Sequence, residues 1–349
     1  MPSRPEVEIL PEPIPFSLTE SPAGTRRPGG RFRFLTVMLL LGVLLLSGCE
    51  TPKGKGGDGA GSPRPADLSG RKIRVVATIG MITDIVSQVG GERVQVDGLM
   101  GPGVDPHLYK ASEGDVTRMA GADIIFYGGL HLEGKMTEVF ERMRGRILTA
   151  AVTDGIDRAL LLKPPEFQGV FDPHVWFDVT LWMKAVEQVA ETLAGIDPQH
   201  GEAYRANAKA YLGKLSELHE YVKTRAGEVA PSRRVLITAH DAFNYFGRAY
   251  GFEVLGLQGI STVSEAGTAD IQALAKLVVE RKIPAVFVET SVSPRTVEAL
   301  KEAARARGFD VEIGGNLYSD AMGNPGTPDG TYIGMVRHNI DTIVSALSK

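Results

Sequence analysis

A long stretch of helical sequence near the middle of the chain constrains the fold most strongly. Residues 179–229 carry apolar side chains at helical spacing. The second half of this stretch begins with Asp197 and Pro198 in cap and first-turn positions and predicts one helix of roughly 30 residues, about 45 Å long. A helix of that length can cross a whole domain, so we expect it to act as a rigid strut.

Strands and helices alternate on both sides of this stretch. The pattern starts with the β-branched segment "KIRVVATI" at 72–79 and resumes with "RRVLITAH" at 233–240. Such alternation is typical of a mainly parallel sheet covered by helices, and 349 residues exceed what one core usually carries. We therefore predict an α/β fold of two similar lobes joined by one long rigid backbone helix. The predicted parts are an N-terminal lobe over 71–178, a helical linker over 179–230 and a C-terminal lobe over 231–349.

The N-terminal region has the pattern of an export signal. Four arginines in "RRPGGRFR" at 26–33 precede the apolar segment "FLTVMLLLGVLLLSGC", which ends at Cys49. The apolar run is short for a membrane span but suits a signal-peptide core. "LSGC" resembles a bacterial lipobox, so we expect a lipoprotein signal peptide over 1–48 and acylation of Cys49. Lipid would then anchor the protein to the membrane, at the periplasmic face or the cell surface.

Composition bounds the remaining possibilities. Residues 49–70 are rich in glycine and proline with almost no apolar side chains, which predicts a flexible tether. The formal net charge is −4 and no long basic block is present, which argues against a nucleic-acid partner. Because Cys49 is the single cysteine, no intramolecular disulfide can form.

Three of the seven histidines lie at strand ends or in loops. His107 and His174 each follow Asp-Pro, and His240 ends a predicted strand. Asp241, the next residue, is a plausible N-cap for the following helix. Ligands in open α/β folds bind beyond the carboxyl ends of strands, so these three imidazoles are predicted to converge in the cleft between the lobes.

Carboxylates complete the predicted metal site. Asp320 lies in the loop after the last strand, and three histidines with one aspartate suit a first-row divalent ion such as zinc or manganese. Asp105 and Asp172 are placed to hold the imidazole tautomers of the histidines that follow them. Glu289 ends another strand and is either an outer carboxylate or an alternative fourth ligand, with Asp320 preferred.

The other histidines have simpler interpretations. His131 is in a loop but follows no Asp-Pro pair, and we expect it to be structural or adjacent to the site. His200 and His219 fall on the long helix and His338 on the last one, where solvated or packing roles are expected.

The chain also resembles a known family from about residue 71 to the end. The resemblance is carried, in order, by "VDPHLY", "DPHVWFD", "TAHDAFNYFGRAYG", "VFVETSVSP" and "LYSDAMG". These segments are similar to signatures of the metal-binding lipoproteins that deliver zinc or manganese to ATP-binding-cassette (ABC) importers. The resemblance implies two α/β lobes joined by a rigid helix, a metal buried between them, and a permease with its ATPase as partner. It carries ligand roles onto His107, His174, His240 and Asp320, in a protein that functions as a monomer.

The sequence does not assign the chain clearly to the zinc branch or the manganese branch of this family. Typical manganese members have glutamate where this chain has His240, and many zinc members carry a histidine-rich loop before the second ligand. Residues 153–174 hold no such cluster, so the chain resembles the branch that handles either metal. Zinc should bind a nitrogen-rich site more tightly than manganese, so affinity alone does not name the cargo.

The predicted function is capture and handover of one divalent metal ion, without catalysis. A closed set of four ligands leaves no open position for a substrate or attacking water. Neither His-Glu-x-x-His nor Gly-x-Ser-x-Gly is present, which argues against a hydrolase. A lipid-anchored surface adhesin is the alternative, and a carrier of iron chelates or haem is less favoured. We expect metal release to need only local loop rearrangement, with Asp320 as the moving ligand.

Overall fold

The computed structural model describes residues 68, 70–143, 145–167 and 169–349. The predicted signal peptide, the predicted acylation site Cys49 and nearly all of the predicted tether lie outside the described residues.

The N-terminal lobe is built on a four-stranded parallel sheet with the strand order β2-β1-β3-β4. Its strands are β1 (Ile73–Ala77), β2 (Val94–Gly98), β3 (Ile124–Tyr127) and β4 (Leu148–Ala151). Four of the five residues of β1 are buried. A near-continuous apolar strand of this kind is expected in a parallel sheet that helices cover on both faces.

Three helices accompany this sheet: α1 (Gly80–Gly90), α2 (Glu113–Ala120) and α3 (Thr137–Met143). A capping box starts α2. The Ser112 hydroxyl accepts a hydrogen bond from the Asp115 backbone N–H, and the Asp115 carboxylate accepts one from the Ser112 N–H. This pairing satisfies two N–H groups that a helix start would otherwise leave without partners.

Two long helices link the lobes: α4 (Val179–Ile196) and α5 (Gly201–Gly227). The 27 residues of α5 span about 40 Å. The predicted start is confirmed, with Asp197 in the N-cap position and Pro198 in the first turn, but that turn is 3₁₀ (Pro198–His200) and the Asp197 side chain does not cap it. The Asp197 carboxylate instead accepts hydrogen bonds from Arg93 at 2.8 Å and Tyr204 at 2.7 Å. Asp197 therefore ties the N-terminal lobe to the long helix.

The C-terminal lobe repeats the architecture of the first. Its strands are β5 (Val235–His240), β6 (Glu253–Gln258), β7 (Ala285–Glu289) and β8 (Glu312–Leu317). β5 pairs with β6 and β7 with β8, both in parallel, and β5 lies beside β7. The strands thus form two separate two-stranded sheets, and their spatial order β6-β5-β7-β8 resembles that of the N-terminal sheet. The helices of this lobe are α6 (Asn244–Tyr250), α7 (Thr268–Arg281), α8 (Arg295–Arg305) and α9 (Tyr332–Leu347).

One apolar core runs through both lobes by way of the long helices. It joins the N-terminal sheet to α4, α5, α6 and α9, and includes Leu218 of α5 and Ile340 of α9. A second, smaller core fills the space among β5, β7, α7 and α8. The predicted α/β fold with a backbone helix is confirmed. Within the described part of the chain, no helix has both the length and the apolar character needed to cross a bilayer.

Gly256 provides a test of the close packing behind the β5 terminus. A Cβ atom at this position of β6 would lie 2.5 Å from the backbone nitrogen of Asp241. We expect Gly256→Ala to lower the free energy of unfolding by about 2 kcal/mol, because the strand has to move away from this backbone. Gly259→Ala is the matched control, since a Cβ there meets no atom within 4 Å. Denaturant unfolding of the metal-free protein measures both, and equal losses for the two variants would contradict the packing argument.

Candidate metal centre

Four side chains from separate segments meet between the lobes. His107 lies in the loop after β2, His174 in the segment before α4, His240 at the end of β5, and Asp320 in the loop after β8. All four are buried, with at most 3% of the residue surface exposed. One ligand atom from each lies within 4.8 Å of all the others. The structure therefore brings together the four residues that the sequence suggested.

The spacing of these atoms fits one small cation. The Nε2 atoms of His107 and His174 are 3.3 Å apart. Asp320 oxygens lie 3.4 Å from His174 Nε2, 3.3 Å from His240 Nε2 and 3.6 Å from His107 Nε2. Ligand atoms about 2.0 Å from a tetrahedral zinc ion are separated by about 3.3 Å. The cluster thus already has nearly the dimensions of a four-coordinate site.

Several polar atoms of the cluster lack hydrogen-bond partners. Among the described residues, His240 Nε2 and both carboxylate oxygens of Asp320 are buried and form no hydrogen bond. Buried polar atoms without partners are costly and uncommon in folded proteins. A cation among these atoms would supply the missing interaction.

The histidines differ in how they hold protons. Burial disfavours the charged form of His174, but the Asp172 carboxylate and Asp320 outweigh it and raise the pKa of His174 to about 9. Burial is likewise outweighed at His240, where Glu289 and Asp320 raise the pKa well above its usual value. At His107 burial dominates and lowers the pKa to about 3. The metal-free site therefore holds two imidazolium groups at neutral pH.

The charge of Asp320 is stabilised by these imidazolium groups. Burial alone would raise the pKa of Asp320, but the positive charge of His240 and the contacts with His174 hold it well below its usual range. Without metal, the Asp320 carboxylate thus forms ion pairs with the His174 and His240 rings. The protonation of each of these three groups depends on the charge of the other two.

Two carboxylates orient the histidine rings from behind. Asp172 Oδ1 lies 2.8 Å from His174 Nδ1. Glu289 Oε2 lies 2.5 Å from His240 Nδ1, and Glu289 Oε1 accepts the His240 backbone N–H at 2.8 Å. Both contacts leave Nε2 directed at the cluster, as is usual for histidines that bind metals. Glu289 faces the ring nitrogen away from Asp320, which favours its outer role over that of an alternative fourth ligand.

The predicted role of Asp105 at the His107 ring is wrong. Asp105 Oδ1 accepts the backbone N–H of His107 at 2.8 Å, and Oδ2 accepts the hydroxyl of Thr262 at 2.5 Å. The matching backbone contact occurs at Asp172, whose Oδ1 accepts the His174 N–H at 3.0 Å. The repeated tripeptide thus makes the same local turn twice, but only Asp172 also reaches the imidazole.

The predicted helix cap at Asp241 is also wrong. Helix α6 begins at Asn244 and its N-cap position is Phe243, because the chain first makes a turn in which the Ala242 N–H bonds to the His240 carbonyl. Asp241 is largely buried behind the site, and this burial raises the pKa of its carboxyl group.

The sequence did not reveal the contacts that hold Asp320. Trp176 Nε1 donates to the Ser319 carbonyl at 3.0 Å, and the Tyr332 hydroxyl donates to the Trp176 carbonyl at 2.6 Å. The Ser291 and Ser319 hydroxyls are 2.7 Å apart. Trp176, two positions after His174, is a conspicuous residue in the sequence. Its bond to the Ser319 carbonyl across the cleft could not be predicted from the sequence.

The remaining histidines lie apart from the cluster. His131 is exposed, adopts φ 66° and lines a separate cavity of about 450 Å³ in the N-terminal lobe. His200 contacts Asp197 at 3.0 Å and His219 contacts the Tyr250 hydroxyl at 3.2 Å. His338 Nε2 donates to the Asn316 carbonyl at 3.0 Å. These contacts agree with structural roles.

Comparisons with known proteins agree with this geometry. Residues 75–346 match the family described as zinc-uptake complex component A, periplasmic. The zinc-binding protein TroA of Treponema pallidum is 52% identical over 278 residues, which cover 80% of this chain and 90% of the relative. The manganese-binding lipoprotein MntA of Bacillus subtilis is 46% identical over 313 residues, 90% of this chain and 98% of the relative.

A solved structure gives the same result. The structure of the periplasmic zinc-binding protein TroA from Treponema pallidum matches with a TM-score of 0.78 and 52% identity, covering 80% of this chain and 100% of that one. The family resemblance read from the sequence motifs is therefore confirmed. The chain belongs to the family of the periplasmic component A of zinc-uptake complexes.

Proposed function

We propose that the protein captures one zinc or manganese ion outside the cytoplasm and delivers it to the permease of an ABC importer. The observation that carries this proposal is the buried set of three imidazole nitrogens and one carboxylate, spaced for a single cation. Relatives named for zinc and for manganese binding support the same class of cargo.

The arrangement favours transport over catalysis. All four donors come from the protein, which leaves no position for a substrate or an attacking water. The family is one of solute-binding components of ABC importers, not of enzymes. The adhesin alternative is not favoured by these comparisons.

The donor set accommodates both metals. Three nitrogens and a carboxylate suit zinc, and both oxygens of Asp320 face the histidines, so this side chain has two oxygen atoms to offer a harder ion such as manganese. Zinc binds such sites more tightly than manganese. The cargo therefore depends on which ion is available outside the cell.

We also propose that Cys49 carries a lipid anchor and that residues 49–70 tether the folded body to the membrane. The basic and apolar segments before Cys49 support this, as does the lipoprotein name of the MntA relative. A single chain contains the complete donor set, so a monomer is sufficient for function.

Asp320→Asn tests the site directly. The variant keeps the side-chain shape but loses the negative charge, so we expect zinc and manganese affinities to fall roughly 100-fold or more. Titration of the metal-stripped protein should give one ion per chain for the parent. Asp310→Asn, which removes an exposed carboxylate from the same lobe, is the control and should bind like the parent. If the parent binds neither metal, or if Asp320→Asn binds as tightly as the control, the proposed function is rejected.

Metal binding should release protons. Because His174 and His240 are protonated in the metal-free site at pH 7, a metal ion has to displace about two protons from the two rings. Calorimetric titrations at pH 7 in buffers of different ionisation enthalpy measure this number. The release should fall as the pH rises through about 9, where His174 loses its proton before the metal arrives. Binding without proton release at pH 7 contradicts the charge assignment.

Glu289→Gln separates the two histidines in the same experiment. Loss of the Glu289 charge lowers the pKa of His240, so the variant should release about one proton fewer at pH 7. Its affinity should fall about 10- to 100-fold, as is typical when the partner of a ligand histidine is removed. An unchanged proton count would show that Glu289 does not keep His240 charged.

A further inference from the structure

The two Asp-Pro-His segments dock on the C-terminal lobe in the same way. In each, one aspartate oxygen accepts the histidine backbone N–H, and the other accepts a donor from across the cleft. Asn244 Nδ2 donates to Asp172 Oδ2 at 3.2 Å, and the Thr262 hydroxyl donates to Asp105 Oδ2 at 2.5 Å. Each aspartate therefore links a histidine-bearing segment of one lobe to a side chain of the other.

The two segments differ in how they hold the histidine ring. Asp172 contacts the His174 ring as well as its backbone, and Glu289 does the same for His240. Among the described residues, no carboxylate contacts the Nδ1 atom of His107. The position of this imidazole therefore depends on the backbone of its loop, and that backbone is tied to Asp105.

Thr262 is the side chain of the C-terminal lobe that holds Asp105. It lies in the loop between β6 and α7 and is only 6% exposed. The loop that carries His107 also passes close to the C-terminal lobe at Gly103 (φ 72°), where a Cβ would lie 3.4 Å from the Thr290 carbonyl. The hydrogen bond from the Thr262 hydroxyl to the Asp105 carboxylate thus links this loop directly to the opposite lobe.

Asp320 is held more firmly than the sequence led us to expect. Trp176 donates to the Ser319 carbonyl, and Asn339 bonds both the N–H and the carbonyl of Tyr318. These bonds come from α9 and from the segment after His174, which both belong to the continuous core. Local movement at the site is therefore easier at His107 than at Asp320.

We propose that Thr262 is a positioning residue whose hydroxyl, through Asp105, holds His107 in the site and sets the rate of metal release. This inference rests on the proposed function. Breaking the bond between Thr262 and Asp105 frees the His107 loop and removes one ligand, while the other three remain in place. Release then needs no rotation of whole lobes.

Exposed apolar side chains lie next in the chain to both Thr262 and His107. Val263 and Leu108 are the two most exposed large apolar side chains among the described residues, at 54% and 48%. Val263 directly follows Thr262 in the chain, and Leu108 directly follows His107. A permease that binds these side chains would act on the two chain segments that carry Thr262 and His107.

Release kinetics of Thr262 variants test the proposal. Thr262→Val keeps the side-chain shape but lacks the hydroxyl, and Thr262→Ser keeps the hydroxyl. Stopped-flow release of zinc to excess chelator should be about tenfold faster for Thr262→Val, which corresponds to ~1.4 kcal/mol. Thr262→Ser should release at nearly the parental rate. In the Asp105→Ala background, Thr262→Val should add nothing, because the hydroxyl acts through that carboxylate.

Hydrogen exchange of the metal-free protein provides a second readout that does not depend on metal. The His107 amide is bonded to Asp105, so its peptide over residues 99–112 should exchange faster in Thr262→Val than in the parent. Ser261→Ala is the matched control, because Ser261 belongs to the same loop and, within the part of the chain that the structure describes, its hydroxyl accepts a hydrogen bond only from the Val263 N–H at 3.4 Å. This variant should match the parent in both experiments.

The outcomes separate the two proposals. Failure of the parent to bind zinc or manganese rejects the proposed function, whereas exchange of the His107 loop still tests the contact. If the parent binds metal but Thr262→Val matches it in release rate and exchange, the positioning role of Thr262 is rejected. Equal acceleration by Thr262→Ser also rejects it, because that variant retains the donor.

Discussion

The buried carboxylate of Asp320 is the charge around which the cleft is organised. It faces three imidazoles, and its oxygens make ion pairs but no hydrogen bonds. A buried anion of this kind is unstable without positive charge beside it. The metal-free protein supplies that charge as two imidazolium groups, which Asp172 and Glu289 stabilise from behind. Exchange of two protons for one divalent ion leaves the total charge of the site unchanged.

The frame around this cluster explains why it is already shaped for an ion. One apolar core extends from the N-terminal sheet through α4 and α5 to α9, and Arg93 and Asp197 tie the lobe to the long helix. Rotation of one lobe against the other would break this core. Donors held at their binding distances need little ordering when the ion arrives, which favours tight capture. In the mechanism that we propose, this frame stays in place during release and only a loop moves.

Much of the fold and site could be predicted because the signals are local. Alternating strands and helices predict the lobes, and polar residues at strand ends predict where His240 and Glu289 lie. The errors concern side-chain roles that depend on the surrounding fold. Asp241 has good capping chemistry but is followed by a turn instead of a helix, and Asp105 bonds the His107 backbone and Thr262 instead of the His107 ring. Thr262 and Asn244 could not be recognised from the sequence. Their hydrogen bonds to Asp105 and Asp172 form only when the two lobes pack together.

The two copies of Asp-Pro-His hold their histidine rings differently. Both copies form the same turn and dock on the opposite lobe, but Asp172 also holds the His174 ring, whereas Asp105 does not contact the His107 ring. One histidine is therefore held by its own carboxylate, and in our proposal the other is held through the buried hydroxyl of Thr262, next to the exposed Val263. A site in which a carboxylate held every histidine ring, as Asp172 holds that of His174, would bind metal tightly but release it slowly. One movable ligand, His107, among three fixed ones allows both tight binding and fast release.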